Sequence, residues 1–149
     1  MKKTLPKIIL GVVLICIVVA GYFLMNPDDK QDLTFLNYEN LVSVAAQSNT
    51  LSASQSEDDG SYIIDGPQLA QFLDKANWTA QKGFTRGIQR DTDKNSKASI
   101  QIKLDGIYLK IFDTDTANIY DETIGKDRYY RMSDGDYEKI LAMLSPDTN

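Results

Sequence analysis

The sequence predicts an α+β domain carried behind one membrane-spanning helix, and three observations lead to that expectation. An unbroken apolar run opens the chain, two stretches of helical periodicity each follow a capping residue, and one alternating segment folds about an Asp-Gly turn. The expected architecture is an N-terminal transmembrane helix, then a small domain with an antiparallel sheet of four to five strands and two helices on one face.

The apolar run is Ile8 to Met25, IILGVVLICIVVAGYFLM, eighteen residues without a charge. As a helix it spans about 27 Å, close to the hydrocarbon thickness of a bilayer. A helix apolar on every side has no place on the surface of so small a domain. Lys2, Lys3 and Lys7 precede it and Asp28 and Asp29 follow it. The positive-inside bias therefore puts residues 1–7 in the cytoplasm and the rest outside. A cleaved signal peptide is the competing reading, with Val18 and Ala20 as the small-residue site and a secreted product beginning at Gly21. The anchor is preferred because the run continues through Tyr22, Phe23, Leu24 and Met25, where a mature N-terminus is usually polar. Cys16 follows Ile15 rather than the small residue that lipidation requires, and the run lacks the Glu of a pilin leader.

Residues 26–32 form a polar spacer, and residues 33–149 the extracytoplasmic domain. Leu33 to Ala46 leans to a strand around Leu41 to Ala45. Residues 47–60, QSNTLSASQSEDDG, are Ser-rich and read as a mobile loop. A short strand at Ser61 to Ile64 leads into a helix capped by Asp65, with Pro67 in its first turn and Gln68 three residues after the cap. Leu69, Phe72, Leu73 and Ala76 make its apolar stripe, and Trp78 closes it onto the core.

Asp105-Gly106 is a two-residue turn that pairs Leu104 with Ile107, Ile102 with Leu109 and Ile100 with Ile111, all aliphatic and on one face. The other face pairs Lys103 with Tyr108, Gln101 with Lys110 and Ser99 with Phe112, and is largely wet. Strands about Asn118 to Glu122 and Arg128 to Met132 follow, joined at Ile124-Gly125-Lys126. A second helix ends the chain, with Ser133 and Asp136 approximating a capping box and Tyr137, Ile140, Leu141 and Leu144 as its stripe.

Composition removes several functional classes. The chain has no histidine and its one cysteine is Cys16, so the outer domain lacks a Ser-His or Cys-His arrangement and a thiol nucleophile. All 21 acidic residues follow Pro27, against thirteen basic ones, so the outer part carries a net charge of −8. That is no footprint for nucleic acid. Asp91-Thr92-Asp93-Lys94-Asn95 opens like a calcium loop, but Ser96 replaces the turning Gly and Ile102 the bidentate Glu, so the segment reads as a polar loop before the hairpin. No catalytic, cofactor-binding or metal residues are expected, and no cofactor.

One segment inverts the charge. From Lys82 to Lys110 seven basic residues face three acidic ones, and Lys103, Tyr108, Lys110 and Phe112 share the wet hairpin face. Lys82, Arg86, Arg90, Lys103, Tyr108, Lys110 and Phe112 are therefore the candidate surface for an anionic partner, a wall polymer, lipid headgroups or an acidic protein patch. A solvated face whose charges discourage aggregation is the plainer reading of the same residues.

The order of features (anchor, polar spacer, IIDGPQLAQFLDKANW, an alternating hairpin, then YYRMSDGDYEKILAML) resembles the small membrane-anchored or lipoprotein-like exported domains of Gram-positive bacteria. Those carry no assigned activity, and the resemblance implies only the class. The expectation is a non-enzymatic binding or accessory domain tethered at the cell membrane, with an envelope protein or an anionic wall or lipid partner. A carboxylate-dependent exported hydrolase, and a secreted inhibitor or sensor of another envelope protein, are the alternatives.

Overall fold

The structure, a computed structural model, describes residues 38–148. The cytoplasmic tail (1–7), the anchor (8–25) and the spacer (26–32) lie outside the described residues. Among those described, no helix is long and apolar enough to cross a membrane.

The domain is α+β, built on a single antiparallel sheet. In chain order the elements are α1 (Tyr38–Gln47), β1 (Thr50–Gln55), β2 (Ser61–Asp65), α2 (Gly66–Lys75), β3 (Thr79–Ala80), α3 (Thr85–Asn95), β4 (Ser99–Leu104), β5 (Ile107–Phe112), β6 (Thr116–Asp121), β7 (Lys126–Arg131), α4 (Asp136–Leu141) and β8 (Ser145–Pro146). The sheet has eight strands rather than four or five, in the order β3-β7-β6-β5-β4-β1-β2-β8. Both outermost strands are two residues long.

The β4–β5 hairpin has the register read from the sequence, with Leu104 opposite Ile107, Ile102 opposite Leu109 and Ile100 opposite Ile111. Ala117 and Ile119 of β6 extend the same face beyond β5. Ala53 of β1 extends it beyond Ile102 on the other side, and Leu51 lies opposite Ile64 of β2. Over this face sit Leu41 and Ala45 of α1, Leu69, Ala70 and Leu73 of α2, and Tyr137 and Ile140 of α4, one continuous buried core with the strand residues. Asp65 caps α2 as expected, its Oδ1 accepting the Gln68 N–H at 2.7 Å.

Four expectations are corrected. Leu41 to Ala45 is helix, not strand: Tyr38, Leu41, Val42 and Ala45 form an i, i+3, i+4, i+7 stripe that fits helix as well as alternation fits strand, and the exposed side of α2 needs a partner. The Tyr38 hydroxyl donates to the Leu73 carbonyl at 3.0 Å, fastening α1 to α2. The mobile loop at 47–60 contains β1, a central strand paired on both sides. Its polarity misleads because its core-facing residues are only Leu51 and Ala53, while Ser52 and Ser54 face the other way.

The third correction is α3, where a loop was expected. The fourth follows from it, because among the described residues four helices, not two, accompany the sheet, three of them on the aliphatic face. Chain order explains this: β3 is at the far edge beside β7, and β4 is in the middle, so the connection must cross β7, β6 and β5. The aliphatic face is already occupied, and α3 makes the crossing on the second face, in contact with β7. Phe112 and Tyr129, which point to the second face, are buried there, outside the main core. Thr92 is the buried residue of α3, so its apolar periodicity is too weak to read.

Candidate functional site

The second face is organised in rows across the strands. The first row runs Ile63, Ser52, Lys103, Tyr108, Tyr120, Asp127; the second Ser61, Ser54, Gln101, Lys110, Asn118, Tyr129; the third Ser99, Phe112, Thr116, Arg131. Helix α3 lies towards the third row, as its contact with β7 and the burial of Phe112 and Tyr129 require. Among the described residues, no element covers Lys103 and Tyr120 at the centre of the first row, and both are exposed.

There the Lys103 ammonium stands 5.6 Å from the centroid of the Tyr108 ring. The Tyr108 and Tyr120 rings are 6.2 Å apart at 40°. Tyr120 is one of the few large apolar side chains left exposed, at 37%. In the next row Lys110 places its ammonium 5.0 Å from the Phe112 ring. Asn118 Nδ2 donates to Asp127 Oδ2 at 2.9 Å, which engages the one carboxylate at the end of the first row. The face therefore presents two tyrosines edged by two ammonium groups. Such an arrangement can stack on a flat ring and pair with an anion beside it.

Of the seven residues singled out in the sequence, the fold brings together Lys103, Tyr108, Lys110 and Phe112. Phe112 is buried, so it supports Lys110 from below and does not line the surface. Lys82 lies in the turn after β3, and Arg86 and Arg90 are exposed on α3, so none of these three is on the hairpin. The calcium-like segment forms the last turns of α3, where Asp91 and Asp93 are exposed. No three or more His, Cys, Asp or Glu gather into a metal site among the described residues.

A second constellation was missed. Asp136 is buried at 3% exposure, and its Oδ2 accepts the Trp78 indole N–H at 2.9 Å and the Ser133 N–H at 3.3 Å. Its Oδ1 accepts from Lys139 Nζ at 2.9 Å. The sequence pairs Ser133 with Asp136 as an approximate capping box; the contact forms, but the helix begins at Asp136 and Gly135, not Ser133, is its N-cap. Nothing in the sequence joins Asp136 to Trp78, 58 positions away. The Tyr38 ring packs at a 59° tilt against Trp78, centroids 5.9 Å apart, and burial together with the Asp136 charge holds its hydroxyl proton more tightly than usual. With three donors on a sequestered carboxylate, this is a structural clasp between α4 and the segment that joins α2 to β3.

No family model, curated protein or solved structure matches the chain.

Proposed function

We propose that the chain is a membrane-tethered, non-enzymatic binding module whose domain lies outside the cytoplasmic membrane and engages an anionic envelope polymer. The observation that carries the reading is the open first row of the second face, where Lys103 and Lys110 edge the Tyr108–Tyr120 pair on a domain that is acidic overall. A local basic and aromatic strip on an acidic background favours one orientation of a polyanion and repels it elsewhere. The tether is supported by the uncharged run Ile8 to Met25 and its flanking charges.

Binding of the full chain in detergent micelles to a purified phosphate-containing wall glycan, against the same glycan stripped of phosphate, tests the surface. Lys103→Glu with Lys110→Glu is expected to weaken binding at least tenfold, about 1.4 kcal/mol, and to flatten its salt dependence. Unchanged affinity and salt dependence in that variant would end the polymer reading. For the tether, a membrane-bound product digested from outside in protoplasts is expected. A soluble product starting at Gly21 would replace the anchor with a secreted binder, the reading that Val18 and Ala20 favour.

A further inference from the structure

A cleft of about 480 Å³ lies between α3, the β5–β6 turn and the third row of the second face. Its helical wall is Ile88, Asp91, Thr92 and Asn95, spaced to share one side of α3, and its other wall is Thr114, Asp115, Thr116 and Arg131. The size falls within the range of small-molecule sites, but apart from Ile88 and Met132 the lining is polar.

We propose that this cleft binds a small zwitterion of the free amino-acid class, with Arg131 taking its carboxylate and Asp91 and Asp115 its ammonium group. Arg131 and the two carboxylates line one cavity, yet among the described residues they form no ion pair with one another, so both signs of charge remain for a third species. A simple anion would face two carboxylates and a simple cation a guanidinium. Only a ligand bearing both charges satisfies the set. The Thr114 hydroxyl oxygen, in the same lining, is buried without a hydrogen-bond partner, the kind of group a bound polar ligand repays. Burial and the charges of Asp134, Glu138 and Asp136 hold the Asp115 carboxyl above its ordinary range, and the same negative field attracts an ammonium group.

The walls are fixed in advance. Asp113 accepts from Ser96 Oγ at 2.7 Å and from the Lys97 N–H at 3.1 and 3.2 Å, tying the end of α3 to the β5–β6 turn. Gln81 Nε2 donates to the Tyr130 carbonyl at 3.3 Å, holding the strand that leads into α3 against β7. The Met132 N–H donates to the Asp115 carbonyl at 2.8 Å, so Asp115 keeps its place next to Arg131. A rigid site loses less entropy on binding. This inference does not rest on the polymer surface.

The test is an amide NMR titration of the full chain in detergent micelles with glycine and L-alanine, beside acetate and methylammonium at equal millimolar concentrations. Glycine or L-alanine is expected to shift amides of Ile88 to Asn95, Thr114 to Thr116 and Arg131, while acetate and methylammonium leave them in place. Arg131→Gln is expected to weaken binding at least tenfold at an unchanged thermal midpoint, since Arg131 is exposed and its loss leaves the fold intact. Thr114→Val should also weaken binding without lowering the midpoint, because it removes a hydroxyl that has no partner. The proposal is overturned if neither zwitterion shifts these amides, if acetate or methylammonium shifts them equally, or if Arg131→Gln binds as tightly as the parent.

Discussion

The two faces of the sheet are covered in different ways. The aliphatic face is roofed by α1, α2 and α4, whose inward side chains merge with those of six strands into one core. Among the described residues the second face receives only α3, which buries Thr92 and lies towards a few aromatic residues at one end. The contrast separates what the fold needs from what it leaves available. Removal of apolar area from water stabilises the first face, while the second keeps polar and charged groups hydrated and within reach of a partner.

Two helical glycines sharpen this contrast, because they sit on opposite faces. Gly66, at the start of α2, is buried against the end of α1, where an added Cβ would overlap the Ser48 carbonyl and come within 2.5 Å of the Ala45 carbonyl oxygen. Gly66→Ala is expected to cost about 3 kcal/mol, at the upper end of overpacking effects, in urea unfolding. A loss below about 0.5 kcal/mol would mean that the α1–α2 contact is looser than described.

The next effect tests the clasp on the first face. Asp136→Ala strands the Trp78 indole N–H and leaves the Ser133 N–H without its acceptor, and is expected to cost about 2 kcal/mol, with a change in tryptophan fluorescence. Gly87, in the first turn of α3, has nothing within 4 Å of an added Cβ. Gly87→Ala should therefore stabilise by about 0.5–1 kcal/mol through helix propensity alone. Destabilisation would show that α3 is seated as tightly as the helices opposite.

The smallest effect concerns pH. Asp115 binds its proton more tightly when folded than unfolded, so its contribution falls as pH rises from about 4 through the raised folded value. Asp115→Asn removes that loss and should raise the melting temperature slightly at neutral pH while leaving it unchanged well below pH 4. Asn accommodates the left-handed backbone at this position, φ +52°, so the exchange adds little strain.

What the sequence made legible follows the same division. Asp105-Gly106 and its flanking aliphatics announced the hairpin and its register, and Asp65 with its stripe announced α2, because each signal is local. Strand β1 was not legible: its burial depends on neighbours that the chain supplies later, and its small side chains suit a crowded centre. Helix α3 was hidden for a related reason, since it covers a face that needs little apolar cover. The Lys103–Tyr108 pair was visible through the hairpin, whereas the polar cleft could not be seen until α3 existed.

The terminal strands β3 and β8 have a further consequence. Each is two residues long, and β8 ends on Pro146, which has no N–H to offer a neighbour. Beyond β3, the exposed half of β7 carries Lys126, Asp127 and Arg128. Neighbouring copies crowded together at high concentration would thus find only short or charged edges for zipping their sheets into a fibre, and would tend to remain individually dispersed.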